Sequence, residues 1–439
     1  MKIDCVGGGP ASLYLAVLIK LQQPDHEVTV HERRPAGARH GWGVTYWPDL
    51  LEDLYAHDPE SARLIEEQSV RWQGGFAHVG DRTTAHDGDP GHAIARHRLR
   101  TVLADRARSL GVRLEFGKEI GSSTDLPDAH LVVAGDGAHS RLRTEHAAPL
   151  GTRVTTGANR FIWLGTTRVL TAFTFAFVET EHGWIWCYAY GFSAEHSTCV
   201  VECSAATWAA LGFDRLDRSE ALRLLEKLFA DLLEGHELLD GRGSPDGRES
   251  PGRGNPESHG SRESHGSHGS RESPAQWQAF PTVTNASWSY GNLALIGDAA
   301  HTTHYSIGAG TTLALRDAMS LARALRTATA PSELPAALAA YERERKQALL
   351  SVQSAARHSA QWYENLPRYM GLEPHQMFAL LGQRHSPLLP HVPPQLYFHV
   401  DRAVGRLQVL RWLKQRLGPR LARTLQSRHG AERSGSRTG

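Results

Sequence analysis

Two kinds of hydrophobic pattern alternate along the chain, and the first begins at the N-terminus. Residues 2–6, "KIDCV", have the pattern of a short buried strand, and "GGGPAS" follows at once. Apolar positions then recur at helical spacing over residues 13–21. "EVTVHER" (27–33) is a second strand that ends on an acid. A strand, a glycine turn, a helix and a strand within about thirty residues predict a βαβ unit.

The arrangement of a strand before a glycine turn occurs twice more. "HLVVAGDGAHS" (130–140) runs from a buried strand into a glycine turn, and "NLALIGDAAH" (292–301) repeats it. "TTLALRDAMSLARALR" (311–326) continues from the last turn with helical periodicity. We therefore predict one Rossmann-type α/β domain formed by residues 1–150 and 291–355.

Residues 151–290 carry the second pattern, which is that of an antiparallel sheet. "RFIWLGTT", "AFTFAFVET", "GWIWCYAYGF" and "STCVVECS" are aromatic and β-branched runs separated by turn residues. We interpret them as a substrate-binding sheet inserted into the α/β frame. Because side chains alternate along a strand, Trp184, Trp186, Tyr188 and Tyr190 should share one face.

Two further segments differ from both patterns. Residues of about 239–275 are mostly Gly, Ser, Arg, Glu, Pro and His, which cannot bury a core, so a disordered surface loop is expected there. Residues 356–439 are predicted to be helical and end in a basic amphipathic tail.

Composition narrows the class of protein. The chain has 439 residues, 40% of them hydrophobic, and a formal net charge of +1, so nothing points to a nucleic-acid partner. The four cysteines form no C-x-x-C pair, which argues against a disulfide framework or a thiolate metal site and favours a reducing, cytoplasmic setting. No stretch is long enough to span a membrane. The oligomeric state is left open.

The first glycine turn is a candidate dinucleotide site. Gly7 permits a tight turn, Gly9 allows the backbone to approach a pyrophosphate, and the small Ser12 keeps helix and strand close. Pro10 and Ala11 open the helix whose N-terminus faces the phosphates. Glu32, beside Arg33, is placed to accept hydrogen bonds from ribose hydroxyls. Its charge would repel a 2′-phosphate, so FAD or NAD is expected there and NADP is not.

Together, "GGGPAS" with Glu32, "GDGAHSRLR" (135–143) and "GDAAHTTHYSIGAG" (297–310) resemble the three-motif signature of single-component FAD-dependent aromatic hydroxylases, the para-hydroxybenzoate hydroxylase group. The middle of the chain and "GWGVTYW" (41–47) look closest to the subgroup of salicylyl-CoA 5-hydroxylase and the violacein-pathway tryptophan hydroxylase. The resemblance covers almost the whole chain.

That resemblance implies roles for particular residues. It assigns Asp136, Gly137 and Arg143 to the second FAD motif, which also serves the nicotinamide cofactor, and Asp298 to the third. "IARHRL" (94–99) is similar to the family's R-x-x-L segment and places Arg96 near the flavin phosphates. The segment Gly308, Ala309, Gly310 and Thr311 leads into a helix that would stabilise the anionic reduced flavin through its backbone N–H groups.

The resemblance also implies the reaction. FAD, NAD(P)H as reductant and O2 would insert one oxygen atom into an electron-rich aromatic ring, by hydroxylation or epoxidation, through a flavin C4a-hydroperoxide. The candidate substrate-binding residues are aromatic: Trp42, Tyr46, Trp186, Tyr188 and Tyr305. His304 and Tyr305 are the candidate catalytic residues, His304 as a group that could assist proton transfer. No general base stands out.

Several alternatives remain open. The aromatic sheet favours an indole or polycyclic natural-product intermediate as substrate, and an aryl-CoA of the salicylyl or anthraniloyl type is the alternative. A flavoprotein reductase or a non-catalytic flavin-binding module would use the same fold. His301 and His304 have the spacing of metal ligands, but they lack an H-E-x-x-H general base and follow a strand directly, so no metal is expected.

Overall fold

The computed structural model describes residues 1–38, 41–86, 90–241 and 275–406. The predicted surface loop at 239–275 lies outside the described residues except at its edges, and the basic tail beyond residue 406 lies outside them entirely. None of the helices within these ranges combines the length and the apolar character that crossing a bilayer requires.

The described residues form strands and helices with the following bounds. The strands are β1 (Lys2–Val6), β2 (Glu27–Glu32), β3 (Gly43–Tyr46), β4 (Val70–Trp72), β5 (Gly75–Val79), β6 (Arg82–His86), β7 (Gly91–Ala95), β8 (Arg113–Phe116), β9 (Leu131–Ala134), β10 (Arg153–Thr156), β11 (Arg160–Thr166), β12 (Phe173–Thr180), β13 (Gly183–Gly191), β14 (Ser197–Cys203), β15 (Leu238–Leu239), β16 (Pro281–Thr284), β17 (Ser289–Tyr290) and β18 (Leu293–Leu295). The helices are α1 (Pro10–Gln22), α2 (Pro48–His57), α3 (Pro59–Glu67), α4 (Arg96–Ser109), α5 (Arg141–Glu145), α6 (Ala147–Leu150), α7 (Ala205–Ala210), α8 (Arg218–Leu228), α9 (Ala230–Leu233), α10 (Gly310–Leu325), α11 (Leu334–Glu364), α12 (Pro367–Met370), α13 (Pro374–Gly382) and α14 (Pro394–Arg406).

The first sheet forms the base of the α/β domain. Its strand order is β17-β18-β9-β1-β2-β8, and all its pairs are parallel except β17 with β18. Strand β1 is almost fully buried because helices α1, α4 and α10 pack into the same apolar core. Each of the three glycine turns follows the carboxyl end of a strand, β1, β9 or β18, and these strands are neighbours. The turns therefore meet at one edge of the sheet, where α/β folds bind ligands.

The second sheet carries the aromatic runs, and its strand order is β15-β11-β14-β13-β12-β5-β6. One face of β13 presents Trp186, Tyr188 and Tyr190 to a core shared with α11–α13, whereas Ile185 and Cys187 face a second core with α8 and α9. This sheet inserted into a parallel α/β frame confirms the predicted fold class.

The sheet draws on more of the chain than the segment 151–290 from which it was predicted. Strand β5 pairs in parallel with β12, so residues 75–79 complete the sheet although they lie in the first segment assigned to the cofactor domain. Strand β6 pairs with β5 in a local hairpin, whereas β5 reaches β12 much later in the chain, and no local pattern predicts that distant pairing.

A buried carboxylate ties the third glycine turn to two helices. Asp317 of α10 is fully buried and accepts hydrogen bonds from the Gly297 N–H (3.0 Å) and from Arg345 Nε of α11 (2.7 Å). The oxygen that accepts from Gly297, Oδ2, also lies 2.8 Å from His301 Nε2. Burial by itself would raise the pKa of Asp317, but the charges and hydrogen bonds of His301 and Arg345 outweigh it and hold that pKa below its ordinary value.

We predict that Asp317→Asn lowers the free energy of unfolding by about 3 kcal/mol, because it leaves the buried Arg345 cation without its counter-charge. Urea unfolding followed by far-UV circular dichroism measures this. Asp128→Asn is the matched control, since Asp128 is 82% exposed and forms an ion pair with Lys2 at the surface, and it should change the value by less than about 0.5 kcal/mol. Equal effects of the two substitutions would contradict the assignment.

Candidate active site

The first glycine turn is shaped by backbone contact with the second. Gly7 has φ +98°, and a Cβ atom there would lie 2.5 Å from the Gly135 carbonyl oxygen. Helix α1 starts at Pro10 with no side chain capping its N-terminus. Gly9, Pro10 and Ala11 face a large cavity. The first turn of α1 can therefore direct unpaired N–H groups toward an anion in that cavity.

Glu32 stabilises the backbone of this turn by hydrogen bonds. One carboxylate oxygen accepts from the Gly8 N–H and the other from the Arg34 N–H, both at 2.9 Å, and Arg100 lies 3.7 Å away. Each oxygen can accept a second hydrogen bond, but Glu32 is buried and does not line the cavity, so its contact with a ribose stays a prediction. Arg33 points elsewhere: its side chain is 60% exposed and lies 3.9 Å from Glu119.

The second turn packs on the first through Ser12 and reaches the third through Arg143. A Cβ on Gly135 would lie 2.1 Å from Ser12 Oγ, which shows how closely helix α1 approaches. Arg143 is buried and donates to the carbonyls of Ala138 (2.6 Å) and Ala299 (3.3 Å). Asp136 accepts from the Arg141 N–H, while its other oxygen is buried without a partner among the described residues. Gly137, not Asp136 or Arg143, lines the cavity.

The third turn supplies the central part of the cavity wall. Asp298 is open to the cavity; desolvation by the surrounding protein raises its pKa, and the charges of Arg96 and His301 oppose that effect. Gly308 has φ +63° and contacts Thr45, and α10 then begins at Gly310 without a side-chain cap. Gly308, Gly310 and Thr311 line the cavity, and Ala309 does not.

The cavity has a volume of about 1040 Å³ and joins the glycine turns to the aromatic face of the second sheet. Trp42 lines it beside β11, where a Cβ on Gly165 would lie 2.4 Å from the Trp42 ring. Arg96 lines it near Asp298, and the Arg96 guanidinium lies 6.0 Å from the centre of the Trp163 ring. The far wall is aromatic, formed by Phe161, Phe173, Phe175, Tyr188 and Tyr190. One end is thus suited to phosphates and the other to an apolar ring.

Tyr305 stands between the two ends. Its ring centre lies 4.6 Å from that of Phe161, 5.5 Å from Phe280 and 6.0 Å from Tyr188. Its hydroxyl donates to Oε2 of the buried Glu202 at 2.6 Å. Burial raises the pKa of Glu202 to about 7, against hydrogen bonds from Tyr305 and Asn159 that lower it.

Two predicted substrate-binding residues lie outside the cavity wall, which corrects the expectation that they line it. Tyr46 is buried on β3, where its hydroxyl donates to Ser69 and its ring stacks on His92. Trp186 stacks on Tyr363 with ring centres 5.7 Å apart, so helix α11 covers it. Both are core residues, as single aromatics in strands usually are.

His304 is also placed differently from the expectation that it assists proton transfer. It is absent from the cavity wall, and its Nδ1 lies 2.8 Å from Ser306 Oγ. Burial and the positive charge of Arg384 lower its pKa to about 3, so it is neutral and a weak base near pH 7. We interpret it as a support for the loop that carries Tyr305.

Sequence reasoning missed Arg384 and identified Glu202 only as an acid within a strand, with no role assigned. Arg384, at the end of α13, lines the cavity and donates to Ser359 Oγ (3.1 Å) and to the Ser306 carbonyl (2.8 Å). No local signal marks it, since an arginine after a helix is common. Glu202 did have a signal: a charged residue in the apolar strand "VVECS" must be buried with a partner. Among the described residues, no group of three or more His, Cys, Asp or Glu side chains is arranged to hold a metal.

Comparison with known proteins agrees with this geometry. The sequence profile of an FAD-binding domain matches residues 257–356. A 3-hydroxy-4-methyl-anthranilyl-[aryl-carrier protein] 5-monooxygenase of Streptosporangium sibiricum is 33% identical, over 84% of this chain and 90% of that protein. The chain belongs to the FAD-dependent aromatic monooxygenases.

Other members are similar over comparable lengths. A salicyloyl-CoA 5-hydroxylase of Streptomyces is 33% identical over 84% of this chain, and the match spans 66% of that longer protein. A protodeoxyviolaceinate monooxygenase of Chromobacterium violaceum is 26% identical over 92% of this chain and all of that one. A solved 2-methyl-3-hydroxypyridine-5-carboxylic acid oxygenase shares the fold, with a TM-score of 0.63 and 17% identity over 88% of this chain and 96% of that one.

The three turns fit the FAD that this family uses with a reduced nicotinamide and O2. Two helix N-termini without side-chain caps open on the cavity. Space remains at Gly137 and Gly310, where a Cβ would meet nothing within 4 Å, so a cofactor can approach the backbone. FAD binding predicted from the motifs is thereby confirmed, although the roles of single residues remain predictions.

We predict that Gly7→Ala lowers the free energy of unfolding by about 3 kcal/mol and abolishes FAD retention, because strain at positive φ adds to the clash with Gly135. Gly37→Ala is the matched control: Gly37 has φ +77° but open space around it, so it should cost only about 1 kcal/mol and keep the flavin. Denaturant unfolding and the flavin absorbance retained after gel filtration measure both. Flavin retention by the Gly7 variant would contradict the role of the turn.

Proposed function

We propose that this chain hydroxylates an electron-rich aromatic ring carried as an acyl thioester, on coenzyme A or on a carrier protein. The observation that carries the proposal is the continuous cavity, in which Tyr305 separates the glycine turns from the aromatic sheet face. A ring lying on that face would be held against the edge of the cofactor site.

The chain's own residues bind, orient and exclude water. The N-termini of α1 and α10 would supply N–H groups to hold the negatively charged parts of FAD. Arg96 adds a positive charge on the same side. When bound, FAD supplies the activation of O2 after reduction by the nicotinamide, which side chains cannot perform. The apolar walls keep the reacting centre dry.

The substrate class is supported by the relatives. The two at 33% identity are named for a CoA thioester and for an aryl group on a carrier protein. Both names describe a small aromatic acid attached to a long arm. A cavity of about 1040 Å³ has room for a flavin ring and such an aromatic acid together. The arm would then leave through the open side of the cavity.

An indole is the second candidate, and it is the substrate that the sequence pattern favours. The violaceinate relative supports it, as does the width of the aromatic wall formed by Phe173, Phe175 and Tyr188. Indole nitrogen activates its own ring, so no acid or base is needed to start the reaction. A thioester of a hydroxy- or aminobenzoic acid differs from an indole in two ways: its ring substituent can ionise, and it carries a long polar arm.

We expect the flavin-loaded protein to oxidise NADH or NADPH faster with salicyloyl-CoA than with salicylate, by roughly 100-fold in kcat/KM, because the non-reacting arm contributes binding energy. The measurement is nicotinamide consumption corrected for peroxide, with product analysed for label from ¹⁸O2. Tryptophan and 5-hydroxyindole are tested in the same assay as the indole substrates.

The outcomes separate the candidates. Equal rates with the thioester and the free acid, together with strong stimulation by indoles, would contradict the thioester and support an indole as the substrate. Turnover without any labelled oxygen in the product would overturn monooxygenation of both. Absence of stimulation by all three classes would overturn the proposed substrate range.

A further inference from the structure

A hydroxy- or amino-substituted ring becomes a better nucleophile when its substituent loses a proton, so an acceptor is needed near the aromatic end of the cavity. Of the titratable residues in the described wall, His86 and His139 are exposed to solvent and Asp240 is paired with Arg218. His304 is excluded by its low basicity and its position. Asp298 lies with the phosphate-side groups next to Arg96. The remaining buried acid near the aromatic end is Glu202, which reaches the cavity only through Tyr305.

We propose that Glu202 is the terminal proton acceptor for the aromatic substrate and that it acts through the hydroxyl of Tyr305. The proton of the ring substituent passes to Tyr305 Oη while the Tyr305 proton passes to Glu202 Oε2. The substrate becomes an anion, Tyr305 ends neutral, and Glu202 becomes a neutral acid, so charge and protons balance. This inference rests on the proposed function and adds to it the group that activates the ring.

The geometry supports a connected chain of hydrogen bonds. Tyr305 belongs to the cavity wall and donates to Glu202 at 2.6 Å, a length typical of a strong bond to a carboxylate. With that proton engaged, the Tyr305 oxygen keeps its capacity to accept a hydrogen bond, and Tyr305 lines the cavity. The other carboxylate oxygen accepts from Asn159 Nδ2 at 2.7 Å, so Glu202 is held in one orientation.

The surroundings leave Glu202 able to take up a proton near neutral pH. It is 1% exposed, and no cation of the described residues is paired with it. Burial raises its pKa to about 7; Tyr305 and Asn159 lower it, as does the facing Trp186 indole of β13, and the negative charge of Glu364 on α11 raises it. Of the other ionisable groups there, Tyr188 and Tyr363 have pKa values raised by burial, so both stay neutral.

Glu202 also lies between the cavity and the surface. Asn159 is half-buried at the start of β11, and the neighbouring Ala158 N–H donates to the exposed Glu364 at 3.2 Å. These contacts place Glu202 next to residues that reach the surface.

The test compares Glu202→Gln, Tyr305→Phe and the matched control Glu179→Gln, an exposed glutamate of β12 in the same sheet. With the best substrate of the panel, wild-type kcat should rise with pH through about 7, because Glu202 must be ionised to accept. In Glu202→Gln the rise should vanish and kcat at pH 8 should fall on the order of 100-fold, with KM changed little. Glu179→Gln should follow the wild type.

A second measurement needs neither flavin nor turnover and so separates this inference from the proposed function. Infrared difference spectra titrate the protonated carboxyl band, which should disappear in Glu202→Gln. Saturating phenol should move its midpoint to lower pH, because a hydrogen bond to Tyr305 strengthens the bond from Tyr305 to ionised Glu202. In Tyr305→Phe, which leaves the Asn159 bond in place, phenol should have no effect.

Two results would overturn the relay. One is a Glu202→Gln variant that retains the wild-type pH profile and rate. The other is a phenol effect on the infrared titration that is absent in the wild type or equal in Tyr305→Phe. If Glu202→Gln fails to fold, Tyr305→Phe decides the question alone through both measurements.

Discussion

The cofactor side of the molecule depends on one buried negative charge, that of Asp317. A carboxylate out of reach of solvent is costly unless it is paired, and here Arg345, His301 and the Gly297 N–H satisfy it. Arg345 belongs to α11, whereas His301 and Gly297 belong to the third glycine turn. Asp317 of α10 therefore fixes how two helices meet that turn. The direction of the α10 N-terminus, and with it the anion-binding end of the cavity, follows from that arrangement.

The two ends of the cavity differ in the polarity of their walls. At the glycine turns, backbone N–H groups and Arg96 replace water around a charged cofactor, whereas the sheet face replaces water by aromatic rings. Tyr305 belongs to both, since its ring packs on Phe161 and its hydroxyl reaches Glu202. The loop that carries the third motif therefore also reaches the aromatic end of the cavity. A change in the loop is therefore felt at both ends.

Sequence alone predicted what depends on neighbours along the chain. The turns at Gly7, Gly137 and Gly308 were found because a tight turn after a strand imposes its own residue types. The aromatic face of β13 followed from strand alternation, but alternation could not tell that α11 covers Trp186 and leaves Tyr188 open. Tyr46, Arg384 and the pairing of Tyr305 with Glu202 depend on contacts between distant segments, and no local pattern records those.

The pairing of β5 with β12 has a consequence for how the chain reaches this structure. The aromatic sheet is finished by strands that precede most of it in sequence, and the ion pair between Arg82 and Glu373 joins residues 291 positions apart. Such non-local closure slows folding, since a large loop must be ordered before the contacts form. During synthesis, the rings that later line the cavity stay uncovered until α11 and α13 emerge. Over that interval the nascent chain exposes an aggregation-prone apolar surface, and chaperones would be expected to bind there.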